Sequence, residues 1–474
     1  MKTLVTRLGY FKSLTLLASL GLAFRLALVF IPQTVLGVNS YGFGWDISTF
    51  ADWMLTIKSA GLRAYVADPS INYPPLFADL LAAIGGIGQA LFPNDPGEAT
   101  RVALNFLKLP ALLSDVGIAL VVARVARRWY SERAALWGAG LYLFLPVTWY
   151  DSAVWGQVDS IAAFFMIISV SFAIEHKPEL SISALSLAVL TKPQGVLAAL
   201  VVLPFLIGSS IRRELPWRRI AAGLAAGLVT FAVIATPWDL RSYNTGPLRD
   251  FPVVGDMTGL WEQAKSTAGL FQVLTANAFN PWQWVGTGPL NRQYQFGIAA
   301  WSTDDFAVMG MPAYQLGLAL FALVALVVFV AIAYRPSPKV VLLGYGVLLV
   351  AFFDLPTRVH ERYLVQAFAV LAVIWAHYWR DRLLLAAVAT ANVINLHAIL
   401  SGGLNVIFPS SPAESPSVVY QHHGEAPEYY GILTPQFSAG FTRAEFVVNG
   451  VIAVHLLALA YLLYQFVLQL RKER

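Results

Sequence analysis

The stretch "LTLLASLGLAFRLALVFI", Leu14–Ile31, is the first of several apolar runs that decide the fold class of this chain. A helix needs about 20 apolar residues to cross roughly 30 Å of hydrocarbon, and runs of this kind recur along the sequence. Of the 474 residues, 57% are hydrophobic and 12% are charged, and the mean hydropathy is +0.62. Soluble domains have about a quarter of their residues charged. The sequence therefore predicts an all-α polytopic membrane protein, with residues 1–474 forming a single transmembrane domain.

Composition also excludes several kinds of site. The chain has no cysteine, which removes disulfides, thiolate metal sites and a cysteine nucleophile. Its isoelectric point is near 9.2, but the basic residues sit in short loops, where they indicate membrane topology and not nucleic-acid binding. No phosphate-binding glycine loop is present, which disfavours a nucleotide substrate.

The basic residues predict which side of the membrane each loop occupies. Lys2, Arg7 and Lys12 precede the first apolar run and place the N-terminus in the cytoplasm. No small-residue cleavage site follows that run, so we expect a retained helix and not a signal peptide. Further basic clusters mark cytoplasmic positions at residues 124–133, 211–219, 335–339, 379–382 and 471–474. Alternation between them predicts about twelve helices, with both termini cytoplasmic.

One crossing is predicted to be interrupted. Residues 181–208 leave and return between cytoplasmic positions, which requires two short helices broken around "TKPQG" (Thr191–Gly195). Proline ends a helix, and unwound backbone at membrane depth is tolerated where it lines a cavity. Ile220–Ile234 is then predicted as the next helix.

Three polar clusters fall on the extracytoplasmic side in this topology: "GWDISTFADW", "WYDSAVWGQVDS" and "RVHERY". The same side holds the two longest loops, residues 32–75 and 236–312, which we expect to contain short interfacial helices. Clusters from distant segments that meet on one face predict a site, with residues 32–75 as its catalytic loop. The alternative is that each cluster is an ordinary solvated loop.

Four blocks occur in an order typical of one enzyme superfamily: "GWDISTFADW" with "NYPPL" (Asn72–Leu76), "WGQVDS", "TKPQG" and "RVHERYL". Together they resemble GT-C glycosyltransferases, most closely the eukaryotic endoplasmic-reticulum glucosyltransferases that use dolichyl-phosphate-glucose, as a bacterial or archaeal relative would. In that family an Asp opens a short helix and is followed by a Trp and then by Tyr-Pro-Pro-Leu. Asp46, Trp53 and Tyr73–Leu76 fit this order.

The later blocks match the family in part. They share Gln157, Lys192, Val359, His360 and Glu361 with its motifs. Pro193 is inserted before Gln194, and arginines at 358 and 362 stand where the family has His and Lys. Ser48 replaces an acidic residue two positions after the catalytic Asp. The resemblance implies a mechanism class, and it leaves the sugar and the acceptor open.

The first block itself suggests a general base. Transfer of a sugar from a polyprenyl phosphate to an alcohol needs a group that takes the acceptor proton. Asp46 precedes residues 47, 50, 53, 54 and 57, whose apolar side chains recur at helical spacing, so it would stand near the N-terminus of that helix. The alternative is a helix cap. Asp52 lies on another face, which argues against a retaining pair of carboxylates, and we interpret it as structural.

The leaving phosphate requires a cation. Arg362 is the best candidate, because its planar fork binds phosphate through two hydrogen bonds, and His360 adds a second donor. The alternative is that Arg358, Glu361 and Arg362 pair only with one another and with lipid headgroups. Lys192 either contacts the substrate or pairs with Asp159 or Asp115.

Other polar and aromatic residues have weaker interpretations. Arg101, Lys108 and Asp115 recur every seven residues and predict a polar seam between helices. Aromatic residues 149, 150 and 155 are typical of a membrane-interface belt, with sugar stacking as the alternative for them. His422 and His423 are adjacent but lack carboxylate neighbours, which makes a metal site weak.

The sequence therefore predicts a multi-pass cell-membrane enzyme that transfers a hexose from a polyprenyl-phosphate-linked donor, with inversion, on the extracytoplasmic face. Asp46 is the predicted base, and the predicted substrate-binding residues are Tyr73, Trp155, Gln157, Asp159, Lys192, Gln194, His360, Glu361 and Arg362. Expected partners are the lipid-linked donor, a glycan, glycolipid or protein acceptor, and membrane lipids, without nucleic acid. We expect no cofactor, while a divalent metal stays open. The alternative function is a carrier or flippase for a lipid-linked saccharide, although no repeat between halves is visible.

Overall fold

The computed structural model describes residues 9–30, 44–243, 246–285, 303–305, 307–400, 420–421, 428–429 and 443–473. The longer helices of the first half are α1 (Tyr10–Phe30), α2 (Gly44–Ala60), α4 (Pro75–Leu91), α5 (Pro96–Phe106), α6 (Leu109–Trp129), α7 (Glu132–Phe144), α9 (Asp159–Ile174) and α10 (Pro178–Thr191). Two single-turn helices, α3 (Ala64–Ala67) and α8 (Pro146–Trp149), lie between them.

The second half continues the helical pattern. Its helices are α11 (Ala199–Ile211), α12 (Trp217–Ala235), α13 (Val254–Gly269), α14 (Ala313–Tyr334), α15 (Pro338–Asp354), α16 (Ala367–Ile374), α17 (Trp379–Leu400) and α18 (Arg443–Lys472). The described strands are four two-residue segments that form two antiparallel pairs, β1 (Ala307–Val308) with β2 (Met311–Pro312) and β3 (Tyr420–Gln421) with β4 (Glu428–Tyr429). The predicted all-α class is confirmed.

Seven helical stretches among the described residues are long and apolar enough to cross a membrane: Tyr10–Val29, Pro96–Trp129, Pro193–Ile211, Trp217–Trp238, Ala313–Tyr334, Trp379–Ile399 and Phe446–Lys472. Helices α4, α9 and α10 are shorter and also apolar. These helices match the predicted membrane-protein class by length and composition. The predicted number of about twelve crossings is not confirmed by them.

The predicted break at "TKPQG" is present. Helix α10 ends at Thr191, Lys192 is extended with φ −155° and ψ 138°, and a 3₁₀ helix from Pro193 to Ala198 leads into α11. Proline disfavours the helical conformation of the residue before it, which is why Lys192 leaves the helix at this point. Lys192 therefore lies outside both helices, at the break between them.

The first long loop contains α2, whose apolar positions behave as the periodicity predicts. Phe50, Trp53, Met54 and Ile57 are all buried. They belong to an apolar cluster that also takes residues from α4 and from the second long loop, including Phe77, Trp238, Leu240 and Leu260. Segments of the two long loops therefore pack together in this cluster. A second, larger apolar core contains residues of most of the other helices.

The predicted polar seam between helices is confirmed for Asp115, but its residues do not lie on one continuous helix. The helix predicted through residues 101–115 is interrupted, because α5 ends at Phe106 and α6 begins at Leu109. Asp115 pairs with Arg25 of α1 at 2.8 Å, and neither side chain is exposed. Buried charges of this kind require a partner, and here the pair joins two helices.

Candidate functional site

Asp46 lies in the first turn of α2, two residues after the helix begins at Gly44. Its Oδ2 accepts hydrogen bonds from the Trp155 indole Nε1 at 2.7 Å and from the Gln157 amide Nε2 at 2.5 Å. Both donors come from a segment more than 100 residues away along the chain. Charge-assisted donors fix the orientation of a carboxylate, so the contacts of Asp46 extend beyond its own helix.

The two donors are placed by an unusual piece of backbone. Residues Tyr150–Trp155 form one turn of π-helix, and Gly156 follows in the left-handed region with φ 90°. The backbone N–H groups of Gly156 and Gln157 both donate to the Asp151 carbonyl, each at 3.0 Å. Single π-turns are rare and are often found at functional sites. We refer to residues 150–155 as the π-turn.

Tyr73, the second predicted residue of the first long loop, joins the same group. Its hydroxyl donates to Gln157 Oε1 at 3.4 Å, and its ring packs on Phe50 and Trp53 at centroid distances of 5.7 and 5.5 Å. The backbone carbonyl of Tyr73 also accepts from the Tyr65 hydroxyl at 2.7 Å. The aromatic packing therefore holds the "NYPPL" segment against α2.

Lys192 pairs with Asp159, which selects this carboxylate over Asp115 as its partner. Nζ lies 2.7 Å from Asp159 Oδ1, and the two side chains are 2% and 0% exposed. Gln366 Nε2 donates to the same oxygen at 3.4 Å. Lys192 Nζ also lies 5.5 Å from the ring centroids of both Tyr73 and Tyr363. The ammonium thus has one carboxylate and two aromatic faces around it.

Arg362 stands between acidic groups. Its Nη1 lies 2.7 Å from Glu361 Oε1, and its Nε lies 4.0 Å from Asp159 Oδ2. Burial opposes the charge of Arg362, but the carboxylates of Asp46 and Glu361 outweigh burial and raise the pKa of the guanidinium well above its usual value. Burial raises the pKa of Glu361, although Arg362 acts against this shift.

Asp46, Asp159, Lys192, Glu361 and Arg362 together form a charged cluster, called the cluster below. His360 lies next to it. Its Nδ1 lies 3.9 Å from Glu361 Oε2, and its ring meets Phe271 edge-on at 4.6 Å. Burial lowers the pKa of His360 well below its usual value, and the charges of Arg362 and Lys192 act in the same direction. The imidazole is therefore neutral at pH 7 and can donate one hydrogen bond.

Several polar atoms of this cluster are buried without a hydrogen-bond partner: Asp159 Oδ2, Glu361 Oε2, Arg362 Nε and both carboxylate oxygens of Asp151. The predicted Gln194, two residues after Lys192, also has its Oε1 buried without a partner, and among the described residues no contact of its side chain with the cluster is seen. Burial and the neighbouring Asp159 carboxylate raise the pKa of Asp151 well above its usual value. Buried polar groups normally find partners, so a concentration of unpaired ones is a feature of functional sites more than of structural cores.

The remaining sequence predictions fall outside this cluster. Arg358 pairs with Asp304 through Nε and Nη2 at 2.7 and 3.1 Å and does not join Arg362. Asp52 is exposed on α2, and its structural interpretation stays a prediction. His422 and His423 lie outside the described residues. Within the described part of the chain, no group of three or more His, Asp or Glu side chains is arranged to hold a metal ion.

The belt interpretation of the aromatic residues is wrong for two of them. Trp155 is fully buried and Tyr150 is 4% exposed. Trp155 binds Asp46, and the Tyr150 hydroxyl lies 2.5 Å from His397 Nδ1. Both residues belong to the π-turn, whose backbone turns their side chains inward, which composition alone does not reveal.

Sequence reasoning missed three members of the cluster: Asp151, Tyr363 and Gln366. Asp151 and Tyr363 stand inside the predicted polar blocks, directly after Tyr150 and Arg362. Their presence in a charged block on the predicted site face was a usable signal. Gln366 had no such signal, because it is a single polar residue at the start of the apolar helix α16.

No family model and no curated protein matches this chain. Among solved structures it is similar to ArnT from Cupriavidus metallidurans bound to undecaprenyl phosphate, with 16% identity, 97% of this chain and 78% of that chain covered, and a TM-score of 0.45. It is also similar to the archaeal oligosaccharyltransferase AglB from Archaeoglobus fulgidus in complex with an inhibitory peptide and a dolichol-phosphate, with 13% identity, coverage of 82% and 48%, and a TM-score of 0.37.

A third similar structure is the Archaeoglobus fulgidus oligosaccharyltransferase in the apo form, with 14% identity, coverage of 96% and 56%, and a TM-score of 0.45. The chain spans about half the length of these two archaeal enzymes. These likenesses do not single out the dolichyl-phosphate-glucose subgroup. At such identities and TM-scores, the function proposed for this chain has to rest on its own residues.

Proposed function

We propose that the protein is an integral membrane glycosyltransferase of the GT-C type, which moves a hexose from a polyprenyl-phosphate-linked donor to an acceptor hydroxyl. The observation that carries the proposal is the Asp46 carboxylate, held by Trp155 and Gln157 beside the buried cations of the cluster. The donor class is the one that the sequence resemblance implies. The acceptor is a glycan, a glycolipid or a protein hydroxyl.

Asp46 acts as the general base. Both side-chain donors bind Oδ2, and they keep the carboxylate in one orientation toward the cluster. The carboxylate takes the proton of the acceptor hydroxyl while the acceptor oxygen forms a bond to the anomeric carbon. The bond from that carbon to the donor phosphate breaks on the opposite face, and the phosphate leaves with the electron pair. One displacement of this kind inverts the anomeric configuration.

Arg362 stabilises the leaving phosphate. Its Nε has no hydrogen-bond partner, so the guanidinium still has a donor to offer after its contact with Glu361. A preorganised cation in a buried site stabilises developing negative charge more effectively than a solvated one. Lys192 adds a second positive charge close by, although Asp159 partly neutralises it.

Five of the other predicted residues would contact the sugar. Carboxylate oxygens of Asp159 and Glu361 accept hydrogen bonds from sugar hydroxyls, and Gln157, Gln194 and His360 both donate and accept them. Trp155 and Tyr73 contribute less directly, by placing Asp46 and Gln157. The first long loop, residues 32–75, forms the catalytic loop on the extracytoplasmic face, and residues 236–312 form the second loop that packs against it.

Asp46→Asn tests the proposal. The amide keeps the size of the side chain but removes the base, and loss of general-base catalysis lowers rates by about 10²–10⁴-fold. The purified protein in vesicles is given a panel of polyprenyl-phosphate sugars and acceptors, and released polyprenyl phosphate and glycosylated acceptor are both measured. We expect Asp46→Asn to lose both products while its thermal stability stays close to that of the wild type.

Asp52→Asn is the matched control, because Asp52 is an exposed acid on the same helix. It should transfer sugar at the wild-type rate. If Asp46→Asn retains full turnover, Asp46 is not the base. If the wild type moves the lipid-linked saccharide across the bilayer without forming product, the carrier function replaces the transferase.

A further inference from the structure

We propose that Asp115 and Lys108 are positioning residues that hold the segment Ser152–Ser160, and through it the two donors that orient Asp46. This inference rests on the proposed function. We call residues 152–160 the clamped segment. Neither Asp115 nor Lys108 contacts the substrate. Both act through the backbone and side chains of that segment.

Asp115 binds the clamped segment at both ends. The Ser152 hydroxyl donates to Asp115 Oδ2 and the Ser160 hydroxyl donates to Asp115 Oδ1, both at 2.6 Å. All three side chains are fully buried. One carboxylate thus fixes the separation of two residues eight positions apart. Trp155, Gln157 and Asp159 lie between these two points.

Asp115 is itself held in place from two other helices. Arg25 Nε of α1 donates to Oδ2 at 2.8 Å, and the Tyr142 hydroxyl of α7 donates to Oδ1 at 3.0 Å. Arg25 also donates to the Leu143 carbonyl at 2.7 Å and to the Thr148 hydroxyl at 3.1 Å. With two donors on each oxygen, the carboxylate is a fixed anchor with its hydrogen-bonding capacity filled.

Lys108 holds the middle of the segment. Its ammonium donates to the backbone carbonyls of Ala153 and Val154 at 2.8 and 3.1 Å. These carbonyls belong to the π-turn, whose hydrogen-bonding pattern departs from that of an ordinary helix. The Lys108 stem passes close to Gly156, because a Cβ built on that glycine would lie 3.0 Å from Lys108 Cε. A side chain at this position would force the Lys108 stem to shift.

The consequence is mechanical. Trp155 and Gln157 reach Asp46 only if the clamped segment keeps its shape, and a misplacement of about 1 Å at a catalytic group costs on the order of 100-fold in rate. Asp115 and Lys108 would therefore affect turnover without touching substrate. The sequence predicts both residues in a polar seam between helices, and their contacts assign this seam the role of holding the clamped segment.

The test removes the two serine contacts and leaves the buried ion pair intact. Substituting Asp115 itself would leave Arg25 buried without its partner and would destabilise the fold. In Ser152→Ala with Ser160→Ala, Asp115 keeps Arg25 and Tyr142. Tyr142→Phe is the matched control, because it removes one hydrogen bond from the same carboxylate and leaves both serines of the clamped segment bound to Asp115.

We expect the double serine variant to lower kcat by at least tenfold, with the KM for the donor changed less than twofold and a melting temperature close to that of Tyr142→Phe. The loss should shrink in a Gln157→Ala background, because the serines act through a donor that is already absent. A merely structural role would give the same fractional loss in both backgrounds. Equal losses in kcat for the double serine variant and for Tyr142→Phe would also overturn the proposal.

A second measurement does not depend on activity. Deuterium uptake by peptides covering residues 150–160 should rise in the double serine variant and stay at the wild-type level in Tyr142→Phe. Unchanged uptake in the serine variant overturns the clamp. If the wild-type protein shows no transferase activity, the proposed function fails, and uptake alone still decides whether Asp115 holds this segment.

Discussion

At the scale of single residues, the site is a buried network in which acids outnumber bases. Four carboxyl groups, at positions 46, 151, 159 and 361, surround the two cations Lys192 and Arg362. A buried charge destabilises the fold unless it is paired, and removal of one partner leaves the other buried and unpaired. Substitutions of the network's buried members Asp159, Lys192 and Glu361 therefore change binding and stability together, and each needs a control outside the cluster.

Arg362 gives the clearest prediction at this scale. Arg362→Lys keeps the charge but loses the planar fork, and Arg362→Ala loses both. One charge-assisted contact in a partly desolvated site contributes about 1.5–3 kcal/mol, which corresponds to a roughly 10- to 100-fold change in rate or affinity. Activity should therefore fall in the order wild type, Lys, Ala, with the larger change in the dependence of rate on donor concentration.

Arg358→Lys is the control for this series, because Arg358 lies four residues away and pairs with Asp304 outside the cluster. It should leave the donor dependence unchanged. A defect that appears only in the acceptor dependence of the Arg362 variants would move the phosphate site elsewhere, with Lys192 as the next candidate.

At the scale of elements, the π-turn and the break after α10 decide which polar side chains meet. Each is a local departure from helix geometry: Gly156 has a positive φ, and Lys192 is extended because Pro193 follows it. Neither departure would be needed to cross a membrane. Each turns one polar side chain, that of Gln157 or Lys192, into the cluster.

Gly156→Ala tests this at the element scale. The left-handed conformation costs an L-residue about 1–2 kcal/mol. The new Cβ would also lie 2.8 Å from Ile47 Cδ1 on the helix that carries Asp46. We expect the free energy of unfolding to fall by about that amount and kcat to fall by more than tenfold, because Trp155 and Gln157 move with the turn.

Gly140→Ala serves as its control. That glycine lies within α7, and a Cβ there would meet only Leu17 Cδ2, at an ordinary 3.9 Å. Activity and stability should stay at wild-type levels in this variant. Equal activity in Gly156→Ala and the wild type would show that the shape of the turn is unimportant for transfer.

At the scale of the whole molecule, four segments meet in one place although Asp46 and Arg362 are more than 300 positions apart. They are α2 with "NYPPL", the clamped segment, the break at Lys192 and the loop around Arg362. Apolar packing between the two long loops supports this meeting from one side. The location follows from the packing of helix α9 against both α6 and α10.

The predicted topology gives a test at this scale. Because the chain has no cysteine, single cysteines can be introduced at Leu62, an exposed residue of the first long loop, and at Glu214, an exposed residue in the basic segment 211–219. In intact cells, a membrane-impermeant maleimide should label Leu62→Cys and should label Glu214→Cys only after permeabilisation. Labelling of Glu214→Cys alone in intact cells would invert the topology and move the site to the cytoplasm.

The sequence by itself determined the class of the protein and the parts of the site that depend on local order. Apolar runs of membrane length predicted the helical membrane fold, because hydrocarbon leaves few structures with satisfied backbone groups. Proline predicted the break beside Lys192, and periodicity predicted the buried face of α2. These features depend on neighbours within a few residues, which is the range at which sequence patterns act.

Tertiary structure alone decided the pairings. Lys192 had two possible carboxylate partners in the sequence, and only packing of α9 against α10 selected Asp159. The sequence favoured a membrane-interface belt for Trp155, and only the π-turn brings its indole to Asp46. A hydrogen bond between residues about 110 positions apart depends on the path of the whole chain between them. Asp115 shows the same limit, since its four donors come from three other segments of the fold.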